Sequence, residues 1–165
     1  MLVLGDAEPF DRIRRDFAPG TVALGIPFHV TLLYPFAPID ELTGTLLAET
    51  RAFFAGRAPF ELELTRIATW PRVVYAVPEP EKPLRDCMQA LFARFPHWPP
   101  YGGVFADVVP HATLGEDVDA EAVRNEIERR LRGQLPRRYT ADEATLLEEY
   151  APDRWRERER FPFGG

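Results

Sequence analysis

Two of the three histidines in this chain stand in the same local setting, Phe28-His29-Val30-Thr31 and Pro110-His111-Ala112-Thr113. Imidazole can take or give a proton near neutral pH because its ordinary pKa is about 6.5. A threonine hydroxyl two positions further on adds a donor for a phosphate oxygen. In an extended segment successive side chains point to opposite faces, so residues two apart share one. His29 and Thr31 then lie opposite Phe28, Val30 and Leu32, and His111 and Thr113 lie opposite Ala112 and Leu114. Two such pairs could flank one tetrahedral phosphate. The hydroxyls would donate to non-bridging oxygens, one imidazole would deprotonate an attacking water, and the other would protonate the departing oxygen. That scheme needs no metal. A lone strand histidine is usually an ordinary packed or surface residue, and strand threonines usually reflect β propensity. The duplication of the whole unit is what favours a shared site. Zinc held by His29 and His111 with Asp107, Glu116 or Asp117 is the rival, but no two-histidine ligand spacing such as H-E-x-x-H is present.

The elements that must position these residues follow from periodicity and punctuation. Leu2 to Leu4 reads as a short buried strand and Ala7 to Phe17 as a helix entered at Asp6. The first motif strand is expected over Pro27 to Phe36, then a helix over Asp40 to Ala55. Phe60 to Trp70 and Val73 to Val77 form a hairpin turning at Pro71-Arg72. A helix over Lys82 to Phe95 precedes a loop, Phe95 to Gly103, too rich in proline and glycine to be regular. The second motif strand is expected over Asp107 to Leu114, followed by a charged helix, Ala120 to Arg132, closed by Gly133. Two strands end the chain, Tyr139 to Tyr150 and Trp155 to Phe161. Motif strand, helix and hairpin thus occur after His29 and again after His111, 82 positions later. The expectation is an α+β fold over residues 1–165: one domain with two pseudo-symmetric lobes, whose motif strands face across a cleft.

Composition narrows the partners. A length of 165 residues with 45% hydrophobic content suits one ordinary globular domain. The net charge of −6 argues against a footprint for long duplex nucleic acid, while a small nucleotide or an RNA end remains compatible. Lys82 is the only lysine, so arginine carries the positive charge, a bias that genomic composition explains more readily than phosphate recognition, although guanidinium suits the latter too. Cys87 is the only cysteine and excludes an internal disulfide. No stretch approaches the ~20 apolar residues of a membrane span, and the first residues lack a secretory pattern. A cytoplasmic monomer is expected.

The paired segments His29-Val30-Thr31-Leu32 and His111-Ala112-Thr113-Leu114 resemble the H-x-T-apolar motifs of the two-histidine (2H) phosphoesterase superfamily, the LigT-like or 2′,5′ RNA ligase-like proteins. The resemblance covers nearly the whole chain. It implies the bilobal 2H fold, with two antiparallel sheets facing a central cleft and helices outside. It also implies a metal-independent phosphodiesterase, with His29 and His111 as acid and base and Thr31 and Thr113 on the phosphate. No cofactor is implied. Opening of a 2′,3′-cyclic phosphate is the expected reaction. Cleavage or ligation of 2′,5′-linked oligonucleotides, or nucleotide binding with little turnover, are the alternatives.

Aromatic residues near the motifs offer themselves for base stacking or as a substrate loop: Tyr34 and Phe36 after the first motif, Trp98 and Tyr101 before the second. The plainer reading is that these rings pack their own loop. Trp70 beside Arg72 is similar. Arg154, Arg156, Arg158 and Arg160 would place one basic face on the last strand, a phosphate stripe or a charged edge that discourages aggregation.

Overall fold

The computed structural model describes residues 1–165. It opens with β1 (Leu2–Val3), α1 (Glu8–Phe17), the short α2 (Pro19–Ala23) and β2 (His29–Val30). Next come α3 (Gly44–Ala55), the hairpin β3 (Phe60–Trp70) and β4 (Val73–Glu79), and α4 (Glu81–Arg94). A 3-10 turn at Pro100–Gly103 leads to β5 (Ala112–Glu116) and α5 (Ala120–Arg130). The chain ends with β6 (Arg137–Ala141), β7 (Glu143–Ala151) and β8 (Arg154–Pro162).

These strands make two antiparallel sheets. One has the order β5-β4-β3-β6. The other is built from the pairs β1-β2 and β7-β8, joined where Met1 and Thr145 exchange backbone hydrogen bonds of 3.0 and 2.8 Å. Each sheet carries one histidine segment at its edge, and the edges β2 and β5 lie side by side. Helices cover the outside. α1 packs on β5 and α5 on β3 and β4, whereas α3 packs on β8. Phe54 of α3 stacks on Phe161 and Phe163 at 5.9 and 5.4 Å, and Arg94 of α4 meets Glu49 of α3 at 2.9 Å. One buried cluster of 28 apolar residues runs through both halves.

Local chemistry sets the helix starts. Thr43 caps α3 by accepting the Leu46 amide at 3.2 Å, and Asp119 caps α5 by accepting that of Ala122 at 3.2 Å. α3 therefore begins at Gly44 rather than at Asp40. α5 ends at Arg130, and Gly133 takes its positive φ of 78° beyond the last turn.

Three expectations need correction. The motif strands are shorter than the alternation suggests. β2 pairs only at His29 and Val30, because β1 offers only Leu2 and Val3 as partners and Pro35 has no amide to continue a ladder. β5 starts at Ala112, just after Pro110 and His111, and runs on to Glu116 against Val73. The strand expected over Tyr139 to Tyr150 is two strands, broken at Asp142, where the chain crosses from one sheet to the other. The hairpins are also exchanged. β3-β4, which follows His29 in sequence, extends the sheet of His111, and β7-β8, which follows His111, extends the sheet of His29.

Candidate active site

The burial pattern obeys the alternation of the sequence. Phe28, Val30, Leu32, Ala112 and Leu114 are at most 1% exposed, and the intervening His29, Thr31, His111 and Thr113 are half-buried on the opposite face. Two supports fix the approach to His29. Buried Arg14 of α1 donates to the Ile26 carbonyl at 2.8 Å, pairs with Asp11 at 3.0 Å and lies over the ring of Phe28, which stacks on Phe10. From the other side, the tip of β7-β8 binds α2: the Trp155 amide donates to Leu24 O at 2.9 Å and Arg154 to Ala23 O at 3.2 Å. Gly25 allows this approach. Its φ is +86°, and a Cβ there would sit 2.9 Å from the Trp155 carbonyl oxygen.

The two imidazoles are held alike. His29 Nδ1 lies 2.7 Å from Pro27 O and His111 Nδ1 lies 2.9 Å from Val109 O. A carbonyl can only accept, so each Nδ1 carries the proton and each neutral ring presents an Nε2 lone pair. His29 Nε2 is 3.1 Å from Thr31 Oγ1, which must therefore be the donor. His111 Nε2 has no protein partner. Its ring instead lies edge-on to Trp70 at 4.7 Å and Tyr75 at 5.6 Å. Burial pushes His29 down to about 4, against the raising effect of its carbonyl bond. Burial also lowers His111, opposed by the Val109 carbonyl and by nearby Glu116. Both rings are neutral at pH 7, and the two are close enough for the charge of one to lower the pKa of the other.

The aromatic residues divide. Phe36 and Trp98 pack edge to face at 5.2 Å, and Phe36 meets Phe95 at 5.3 Å, so both rings serve the packing of their loop. Tyr34 is 50% exposed and lies 6.1 Å from Tyr101, whose amide donates to Tyr34 O at 2.6 Å. Burial raises the pKa of the Tyr101 phenol, opposed by the Thr31 hydroxyl near it. Tyr101 is held there at φ +50°, followed by Gly102 and Gly103 at +64° and +78°. Trp70, one of the rings weighed for stacking, lies instead against His111, and Tyr75 beside it was not legible as a site residue, because only the β4-β5 pairing puts Tyr75 beside Thr113.

The three carboxylates weighed as zinc ligands are committed elsewhere: Asp107 to Arg85, Glu116 to Thr21 and Asp117 to Arg72. No group of three or more His, Cys, Asp or Glu side chains is placed to hold a metal ion. The basic face of β8 is likewise engaged, since bulges break its alternation and Arg156 and Arg158 both hold the buried Glu148. Arg160 pairs with Glu157 and Glu143. No helix is long and apolar enough to cross a membrane.

The chain resembles known proteins in sequence and in fold. The family described as the 2′-5′ RNA ligase superfamily matches over residues 4–153. The chain belongs to that superfamily. A curated relative from Geobacillus kaustophilus, named provisionally as a phosphoesterase, is 26% identical over 148 residues, covering 85% of this chain and 80% of its own length. Among solved structures, Escherichia coli LigT in complex with NADP+ has a TM-score of 0.54 at 21% identity, covering 96% of this chain and 90% of that one. LigT in complex with 3′-AMP has a TM-score of 0.52 at 20% identity, covering 96% and 93%. The fold is thus the bilobal LigT-like 2H fold, α+β with two antiparallel sheets, and both histidine segments of this superfamily member lie within the matched region.

Proposed function

We propose that this superfamily member is a metal-independent phosphodiesterase for a small nucleotide or RNA end and that it opens a ribose 2′,3′-cyclic phosphate. The observation that carries this reading is the pair of imidazoles, each fixed through Nδ1–H to a carbonyl of its own segment so that Nε2 is left to react, on adjacent sheet edges. His111 is the general base, because its Nε2 lone pair is free of any protein donor. It takes a proton from water as the water oxygen attacks phosphorus. His29 is the general acid. An anionic phosphodiester in the cleft favours the imidazolium and offsets the burial that keeps the free ring neutral. Once His29 is protonated at Nε2, Thr31 no longer donates to it and can turn its hydroxyl to a phosphate oxygen, with Thr113 as its counterpart. His29 then protonates the departing ribose oxygen, leaving a phosphomonoester. The LigT complexes hold NADP+ and 3′-AMP, nucleotides with a phosphate on a ribose 2′ or 3′ oxygen, which supports the same substrate class here.

The test is turnover of a panel of 2′,3′-cyclic nucleotides and 2′,5′-linked dinucleotides in the presence of EDTA. Cyclic phosphates are expected to be opened, and His29→Ala or His111→Ala each to lower kcat by about 10²- to 10⁴-fold. Binding without product, or full activity in the double variant, overturns the reading. Turnover of the 2′,5′ substrates alone moves it to that class.

A further inference from the structure

The sheet of His111 carries a guanidinium that neither motif announces. Leu62, Leu64 and Ile67 of β3 are buried in the core, so simple alternation from Leu62 and Leu64 would send Arg66 inward with them. A bulge between Leu64 and Arg66 changes that. Beyond it the register is regular: Arg66 faces Val77, Ala68 faces Tyr75, and Tyr75 faces Thr113 on β5. Arg66 therefore shares the face of Tyr75 and Thr113. Ala68, Tyr75 and Thr113 form one cross-strand row on this face; Arg66 stands two residues along β3 from it, and His111 two residues along from Thr113, just beyond the last pair, Ala76 with Ala112. Two strand spacings, about 9.6 Å between Cα atoms, separate β3 from β5 along that row.

The guanidinium is 61% exposed, and its nearest carboxylate contact, from Nε to Glu79, is at 4.0 Å. Its positive charge is felt by the Tyr75 phenol. Arg138, the other guanidinium on this face, is already paired with Glu63. Past Arg66 the face becomes an acidic groove lined by Glu61, Glu63, Glu79 and Glu81, which repels anions. Arg66 thus stands at the boundary between an anion-repelling groove and the imidazole site.

We infer that Arg66 is a specificity-determining residue that binds a second phosphate of the substrate, one nucleotide step from the phosphodiester held by the histidines and threonines. The favoured substrate class is then a 5′-phosphorylated nucleotide or an oligonucleotide end rather than a nucleoside cyclic phosphate. This rests on the proposed phosphodiester site, and its test includes an arm that needs no turnover.

Calorimetric binding of adenosine 3′,5′-bisphosphate and of 3′-AMP is compared in the wild type, Arg66→Gln and Arg12→Gln, the last removing an equal charge from the exposed face of α1. The wild type and Arg12→Gln are expected to favour the bisphosphate by about tenfold or more, a preference that falls with added salt, and Arg66→Gln to lose it. In the kinetic arm, the ratio of kcat/KM for adenosine 2′,3′-cyclic phosphate with and without a 5′-phosphate is expected to collapse in Arg66→Gln. Equal preference in Arg66→Gln and the wild type, or no wild-type preference, overturns the assignment. A binding preference that depends on Arg66 with no turnover of any cyclic phosphate overturns the proposed reaction and leaves the second-phosphate site standing.

Discussion

His29 shows how much of a site can reside in one side chain and its neighbours. The segment needs only extended backbone for Phe28 and Val30 to face the core and His29 to face outward, and both placements are observed. The tautomer could not be read from the sequence, because it depends on Pro27 O and Val109 O lying 2.7 and 2.9 Å from the two Nδ1 atoms. The buried environment of His29 has a consequence for stability. Its folded-state pKa of about 4 lies below the unfolded value near 6.5, so between these limits the unfolded chain binds more protons and stability rises with pH. Above that window the contribution is constant. On going from pH 7 to pH 4.5 this residue alone is expected to cost about 2 kcal/mol. Urea unfolding of the wild type and His29→Gln at both pH values measures it: the variant should lose less stability than the wild type by that amount. An identical pH dependence in the two proteins contradicts the burial argument.

At the scale of elements, strands and helices are legible in type but not in connection. The hairpin at Phe60–Trp70 and Val73–Glu79 was legible because its alternation and its Pro71-Arg72 turn are both local. The break at Asp142 was not, because Tyr139 to Tyr150 has strand composition throughout and only the competing partners β3 and β8 divide it. The support given to α2 by β8 depends on one backbone position. Gly25→Ala would place a Cβ against the Trp155 carbonyl at a residue with φ +86°. About 1–3 kcal/mol of destabilisation is expected, together with a larger fractional loss of activity than of folded protein, since the displaced segment leads directly to His29. Thermal unfolding with parallel assays of the folded fraction checks this. Wild-type Tm together with wild-type kcat would show that the contact is dispensable.

The whole molecule is two lobes that neither half of the sequence builds alone. Because β7-β8 closes the lobe of His29 and β3-β4 closes the lobe of His111, separating the lobes would strip each of strands supplied from the other half of the chain. The shared cluster of 28 buried residues adds to that dependence. Unfolding is therefore expected to be a single cooperative transition despite the bilobal shape. Tryptophan fluorescence reports on both lobes, through Trp70 on β3 and Trp155 on β8, and far-ultraviolet circular dichroism reports on the helices. Urea curves from the two probes should coincide. A resolved intermediate would mean that one lobe holds without the other.

The sequence by itself determined the chemistry-bearing faces, because strand alternation is a local property and two short H-x-T segments carry it. It also determined the family, through motifs contained within four residues each. Only the tertiary structure decided which hairpin backs which histidine, that Phe36 and Trp98 pack their own loop while Tyr101 lies beside Tyr34, and that a bulge turns Arg66 toward the imidazole face. The reason is physical. Strand partners, bulges and ring contacts are chosen by competition among segments far apart in the chain, and neither composition nor period records the outcome of that competition.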